Sequence, residues 1–368
     1  MRVLMTTDTI GGVWTFTKEL SAELLAEGCS VALASLGRMP SAAQQAWVDA
    51  QSEHSGSRFC YFALDVPLEW MAENARAFSQ AESRLLEIAD EFGAELVLSS
   101  QFCFGALGCD LPRIVVAHSD VLNWAEACRP DGLARSEWLD KYCELVSRGL
   151  READAVAAPT RWMLDALGAH FRLPAEQAVI ANGRTVAQVL GSGKRRLQAV
   201  AAGRVWDEAK NLRIVRTVKW PMPLLIAGET EHESARFDGN WDDATLLGRL
   251  NEDQLLDLFR SSAIYVCTSI YEPFGLAPLE AALCGCAVVA NDIPSLREVW
   301  GDFALFYDSA ESLSELLALL TRDQDQLRRA QEQSSERARR FTAKKMAAGY
   351  LQLMRSVLLQ RQVPSHAA

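Results

Sequence analysis

The sequence predicts an α/β fold built from two doubly wound, Rossmann-like parallel sheets. Three observations carry that prediction. At 368 residues the chain is long for one core and suits two domains. Short apolar runs alternate with helical patterns, and the alternation stops and restarts once, near residues 182–196. Repeated strand–helix alternation is the pattern of a parallel sheet covered by helices.

Along the first half, residues 2–6 read as a strand and residues 8–12 as a turn. Residues 13–27 follow as a helix, with Val13, Phe16, Leu20 and Leu24 on one face and Gly28 as its stop. Further strands are expected at 30–36, 59–64, 96–99, 114–118 and 155–158, with helices at 69–92 and 136–152 among them. Asn182-Gly183 marks a turn, and Gly191-Ser192-Gly193-Lys194-Arg195-Arg196 suits a polar hinge. The second half gives strands at 198–202, 224–227, 264–267 and 287–290, and helices at 211–218, 252–259 and 275–284. Residues 322–361 are helical and charged, so an exposed closing helix or pair of helices is expected. The implied domains are residues 1–188 and 189–340, with a closing helix and tail at 341–368.

Composition narrows the function. Apolar residues make up 49% and charged residues 23%, the profile of a globular protein. The net charge is −11, and residues 1–190 carry 15 Lys and Arg against 25 Asp and Glu. So acidic a half repels phosphate backbones and anionic headgroups, which argues against nucleic acid and stable membrane docking. No run of eighteen apolar residues occurs, and the N-terminal apolar run is too short for a signal sequence, so a cytoplasmic location is expected. The nine cysteines are odd in number and scattered without a C-x-x-C pair, which suits reduced core thiols.

Three strand-end segments carry the chemistry. The loop Thr6-Thr7-Asp8-Thr9-Ile10-Gly11-Gly12 lets backbone N–H groups approach an anion, although a plain tight turn explains its glycines equally well. Gly203-Arg204-Val205-Trp206-Asp207-Glu208-Ala209-Lys210-Asn211 places two cations where one diphosphate can be reached. A salt bridge from Arg204 to Asp207 or Glu208 is the structural alternative. The third segment, Tyr271-Glu272-Pro273-Phe274-Gly275-Leu276-Ala277-Pro278-Leu279-Glu280, turns tightly into a helix whose N-terminus favours negative charge. Glu280 lies within the apolar run LAPLEAALCGCAVV, where a carboxylate needs partners.

The E-x7-E element with EPFG and the upstream GRVWDEAKN together resemble the family 4 glycosyltransferases, retaining enzymes of GT-B architecture. The resemblance extends to the Gly pair after the first strand, His118 after IVVA, and Asn182-Gly183. It implies two domains facing across a cleft, a donor-side C-terminal domain, an acceptor-side N-terminal domain, and a last helix closing back on the latter. Arg204 and Lys210 would contact the diphosphate of a nucleotide-sugar, with UDP the expected nucleotide. Glu272 would hold the transferred hexose beside the backbone N–H groups of Phe274, Gly275 and Leu276. Glu280 would hold the ribose, Gly12 would approach the phosphate, and His118 would touch the sugar near its reacting carbon. A structural cap is the other reading of His118.

Asp8, Trp14 and Trp124 are the candidates for contact with a small-molecule, saccharide or lipid acceptor, ordinary packing being the alternative for each tryptophan. The chain departs from the family where a Gly-Gly segment is common: it has Asn291-Asp292-Ile293-Pro294-Ser295-Leu296-Arg297-Glu298. No cofactor and no metal is expected. The D-x-D string Asp323-Gln324-Asp325 lies in the charged tail, far from any strand end. Rival readings on the same plan are a nucleotide-sugar epimerase, a phosphorylase, and an idle nucleotide-sugar-binding protein.

Overall fold

The computed structural model describes residues 1–71, 75–186, 195–232, 235–236, 241 and 244–362. Contacts divide the chain into two compact units. One comprises Met1–Asn123, Gly132–Gly183 and Thr342–Ala368, the other Trp124–Asp131 and Arg184–Phe341. The expected boundary at 188/189, and most of the expected hinge, lie outside the described residues.

The first unit is a seven-stranded parallel sheet. Its strands are β1 (Arg2–Asp8), β2 (Ser30–Leu36), β3 (Phe59–Ala63), β4 (Leu96–Ser99), β5 (Arg113–Val116), β6 (Ala155–Ala158) and β7 (Glu176–Val179). They run in the order β3-β2-β1-β4-β5-β6-β7. Helices α1 (Gly12–Ala26), α2 (Ala42–Ser55), α3 (Ala75–Phe92), α4 (Val121–Cys128), α5 (Glu137–Glu152) and α6 (Arg161–His170) lie between them in the chain, α4 from Trp124 onward grouping with the second unit. Because side chains alternate along a strand, Val3 and Met5 of β1 join one core cluster and Leu4 another. The central strands are buried on both faces, which accounts for their continuous apolar runs.

The second unit has strands β8 (Arg196–Ala202), β9 (Leu224–Ala227), a short antiparallel pair β10 (Glu231–His232) and β11 (Ala235–Arg236), β12 (Ala244–Gly248), β13 (Ser262–Cys267), β14 (Ala287–Asn291) and β15 (Leu305–Tyr307). Its sheet runs β12-β9-β8-β13-β14-β15, all parallel. With it go α7 (Glu252–Ser261), α8 (Leu276–Leu283), α9 (Pro294–Trp300), α10 (Ala310–Arg322) and α11 (Gln324–Ala338). Leu313, Leu317 and Leu320 of α10 pack on Ile264, Val266 and Val289 of the strands.

The last helix, α12 (Ala343–Gln362), returns to the first unit. Met346, Tyr350, Met354 and Val357 recur at helical spacing and are buried with Phe16, Leu20 and Leu24 of α1. Tyr350 meets Phe16 edge-on, ring centroids 5.6 Å apart. An exposed closing helix was expected here; α12 is instead amphipathic and supplies core, while α11 buries Leu327, Ala330 and Ala338. Gly183 shows how tightly the chain packs at the start of α12. A Cβ there would lie 2.1 Å from the Thr342 carbonyl oxygen.

Three further expectations are corrected. The helix expected over 211–218 is a 3₁₀ segment, Leu212–Arg216, because Asn211 takes a left-handed conformation at φ 45°. Of the helix expected over 69–92, Ala75–Phe92 is present, whereas 69–71 form a turn in which Glu69 binds backbone N–H groups elsewhere; 72–74 lie outside the described residues. Arg195, expected in the hinge, caps the end of α8 by donating to the Cys284 and Gly285 carbonyls at 2.7 and 2.6 Å. Strand β7 and helix α2 are additions that the apolar pattern did not announce.

Tyr350→Ala should destabilise the first unit by about 3–5 kcal/mol, the range for emptying a buried aromatic site. Urea unfolding followed by fluorescence checks this; an unchanged midpoint would mean α12 is not part of that core.

Candidate functional site

Each sheet reverses its strand order once, between β1 and β4 in the first unit and between β8 and β13 in the second. Open α/β sheets present ligand-binding loops at such points. The sequence-nominated residues fall on the loops that leave these strands and their neighbours.

In the first unit the loop after β1 is held by its own polar groups. Asp8 Oδ1 accepts the Ile10 N–H at 2.7 Å, and Thr9 Oγ1 donates to the Arg38 carbonyl at 2.7 Å. Helix α1 then starts at Gly12 with Gly11 as its cap, with no side-chain cap bond and no acidic residue in its first turn. Both glycines are exposed. Such a helix start attracts negative charge through its N–H groups and dipole.

Beside it, Ser100 Oγ lies 3.2 Å from Nε2 of His118, the second residue past β5. Phe16 meets the imidazole edge-on at 4.6 Å. His118 is half-buried, and burial pushes its pKa down to about 4. The ring is therefore neutral at neutral pH, with one nitrogen donating and the other accepting. Glu69 fixes the neighbouring loop: its buried carboxylate accepts the N–H groups of Phe102 and Cys103 at 2.9 and 2.8 Å.

In the second unit, the loops after β8 and β13 are tied together. Lys210 Nζ donates to Glu272 Oε2 at 2.5 Å, and Ser269 Oγ donates to the same oxygen at 3.2 Å. The Ile270 N–H bonds to the Ala209 carbonyl at 2.9 Å, and Asn291 Nδ2 donates to the Ser269 carbonyl at 3.1 Å. Burial works against the Lys210 ammonium, but the Glu272 carboxylate outweighs it and raises the lysine pKa. Arg204 pairs with Asp207 at 2.6 Å and lies over the Trp206 ring at 5.1 Å. The salt-bridge alternative for Arg204 is thus present, and it fixes a guanidinium that keeps more than a third of its surface exposed.

Gly275 caps α8 at φ 91°, and a Cβ there would come within 2.8 Å of the Pro278 ring. Only glycine fits that turn. Helix α8 has no side-chain cap bond and no acidic residue in its first turn, so Leu276 stands at a second anion-attracting helix start. Phe274 is buried edge-on against Phe341, centroids 5.4 Å apart, which anchors the loop. Glu280 is 8% exposed. Its Oε1 accepts from Nε of Arg184 at 2.8 Å, and Arg184 also pairs with Glu252 through Nη2.

The structure therefore brings Lys210 and Glu272 into contact, with Arg204 on the same loop as Lys210. Within the first unit, Asp8 and Gly12 share a loop, and His118 packs on Phe16 of the helix that loop opens. Of the acceptor candidates, Trp14 is corrected to a packed core residue, and Trp124 is corrected only in the unit to which it belongs. Trp14 is 7% exposed and packs edge-on against Trp47 and Tyr61, because α1 turns it into the core. Trp124 groups with the second unit, not the first, and lies under the Arg129 guanidinium at 5.0 Å. In the departing segment, Pro294 opens α9 at its first turn, where the missing N–H costs nothing, and Arg297 grips Asp292 through two bonds of 2.6 Å. The D-x-D string is structural: Asp323 caps α11 and Asp325 pairs with Arg328.

Arg184, Ser100 and Glu69 were missed by sequence reasoning. The one available signal was the carboxylate of Glu280 in an apolar run, which demanded a cation without saying which.

Residues 10–188 match the family described as Glycosyltransferase Family 4, and residues 210–339 match that described as Glycosyl transferases group 1. The chain is 30% identical over 267 residues to alpha-maltose-1-phosphate synthase of Mycobacterium tuberculosis, covering 62% of this chain and 68% of that protein. A 54-residue stretch, 15% of this chain and 7% of the relative, is 44% identical to the serotype-specific mannosyltransferase WbdA of Escherichia coli. Among solved structures, sucrose-phosphate synthase from Thermosynechococcus elongatus superposes with a TM-score of 0.76 at 17% identity, covering 98% of this chain and 100% of that one. Anabaena HepE in complex with UDP-glucose superposes with a TM-score of 0.70 at 14% identity, covering 97% and 100%. These structures share the GT-B fold of two Rossmann-like domains.

The depressed pKa of His118 predicts a pH effect on stability. Between pH 6.5, the ordinary value, and about 4, the unfolded imidazole takes a proton that the folded one refuses. The stabilisation is complete above 6.5 and declines as the pH falls towards 4. Denaturation at pH 7 and pH 5 should show a smaller loss for His118→Gln than for the native chain. An NMR midpoint for His118 near 6.5 would contradict this.

Proposed function

Because this chain belongs to glycosyltransferase family 4, we propose that it moves a hexosyl group from a UDP-sugar to a carbohydrate acceptor, retaining anomeric configuration and using no metal ion. The observation that carries the proposal is the Lys210–Glu272 pair, with Arg204 on the same loop as Lys210 and the start of α8 following Glu272. A lysine ammonium has three donors, so Lys210 can bind a diphosphate oxygen while still holding Glu272. Glu272, kept in place by Lys210 and Ser269, can accept from hydroxyls of the transferred sugar.

Departure of UDP breaks the bond between the anomeric carbon and the diphosphate oxygen and leaves negative charge on the phosphate. Arg204, Lys210 and the N–H groups at the start of α8 oppose that charge, a task that many other enzymes give to a divalent cation. The acceptor oxygen bonds to the anomeric carbon from the face just vacated, and its proton passes to the leaving phosphate. Retention is what the family resemblance implies. In the first unit, Gly12 at the start of α1 would approach the phosphate and a neutral His118 would hydrogen-bond the donor sugar without adding charge.

Support for a UDP-sugar comes from HepE, which shares the fold and is described with UDP-glucose. Support for a carbohydrate acceptor comes from relatives named for maltose-phosphate and sucrose-phosphate synthesis. The acidity of residues 1–190 disfavours a polyanionic acceptor. No helix among the described residues is long and apolar enough to cross a membrane.

Thermal-shift and product-release assays against UDP-, GDP- and ADP-sugars, with and without EDTA, test the proposal. One donor, UDP-linked, should shift the melting curve and release its sugar slowly, unaffected by EDTA. Loss of the shift in EDTA would overturn the metal-free mechanism. Arg204→Ala should lower turnover by about a hundredfold or more; a near-native rate would remove Arg204 from the leaving-group site.

A further inference from the structure

We propose that Arg184 is a positioning residue for the donor, holding the Glu280 carboxylate oriented so that it can accept from the ribose hydroxyls. The inference rests on the reading of Glu280 as the ribose ligand and adds a residue that the motifs did not nominate.

Arg184 is buried, at 4% exposure, and is fixed at both ends. Its backbone N–H donates to the Phe341 carbonyl at 3.1 Å. Its guanidinium reaches Glu280 through Nε and Glu252, in the first turn of α7, through Nη2. Nη1 faces the Thr185 carbonyl at 3.5 Å. A planar fork held by two carboxylates and a carbonyl has little freedom to turn, so it sets the plane in which the Glu280 carboxylate lies.

A carboxylate offers about four lone-pair sites on its two oxygens, so accepting from Arg184 Nε and accepting from hydroxyls are compatible in kind. Both acidic partners come from helices that begin at the same sheet end, α7 and α8. Arg184 therefore ties the two helices as well as orienting the ligand. A lysine would keep the charge and lose the fork.

The test is a comparison of nucleotides that differ only in the ribose. Calorimetry with UDP, GDP and ADP identifies the diphosphate that the native chain prefers, and its 2′,3′-dideoxy form is then titrated in parallel. The native chain should prefer the ribo form by about tenfold or more, as expected for hydrogen bonds to a charged acceptor. Glu280→Gln and Arg184→Met should each bring that preference close to one while affinity for the dideoxy form stays within about twofold. Arg184→Lys should fall between, and the double variant should lose nothing beyond either single one.

Retained affinity for the dideoxy form shows that a variant is folded, so a structural loss is separable from a ribose-specific one. Should Arg184→Met not fold, Arg184→Lys decides alone: a native preference would overturn the proposal. If Glu280→Gln loses the preference and Arg184→Met keeps it, the positioning role is wrong and the ribose reading stands. If Glu280→Gln keeps it, the ribose reading fails and the proposal goes with it. Tighter binding of the ribo form by Arg184→Met would mean that Arg184 competes with the ribose, which also overturns the proposal.

Discussion

Carboxylates set into the apolar end of a sheet must have cations, and that requirement organises the second unit. Glu272 and Glu280 follow one strand, β13, and each is answered from elsewhere in the chain. Lys210, on the loop after β8, takes Glu272, and Arg184, from the segment ahead of β8, takes Glu280. Leaving either carboxylate unpaired in that environment would cost several kcal/mol or force a proton onto it. The pairs consequently lock the loops after β8 and β13 to each other and to α8, and the backbone bonds from Ile270 to Ala209 reinforce them. A ligand arriving there meets groups that already have their geometry.

In the first unit the loop after β1 presents backbone N–H groups rather than a cation. Asp8 spends one oxygen on its own loop, and Gly11-Gly12 stand exposed at the start of α1. His118 sits against Phe16, which in turn sits against Tyr350 of the last helix. Burial lowers the imidazole pKa to about 4 and keeps the ring neutral at neutral pH. The return of α12 to this unit is thus part of how the histidine acquires its environment.

Much of this was legible in the sequence. The parallel sheets, the loops after β1, β8 and β13, and the residues Arg204, Lys210, Glu272 and Glu280 follow from apolar periodicity and from motifs that are contiguous in the chain. The errors share a cause. Residues 211–218 and 69–71 have helical composition, but a left-handed Asn211 and a carboxylate recruited 33 residues away, from Glu69 to Phe102, override it. The charged surface of the C-terminal region masked a stripe of Met346, Tyr350, Met354 and Val357 that only has meaning once α1 is known to lie against it.

The sequence by itself determined the fold class, the family and the chemical types at the strand ends, because those depend on short-range pattern. Tertiary structure alone decided which charge meets which. Arg184 lies 96 residues from Glu280, and Lys210 lies 62 from Glu272. It also decided that Trp14 packs inward and that Trp124 belongs with the second unit. Ion pairing and burial are properties of distance in space, and a sheet whose strands are not neighbours in sequence order sets those distances.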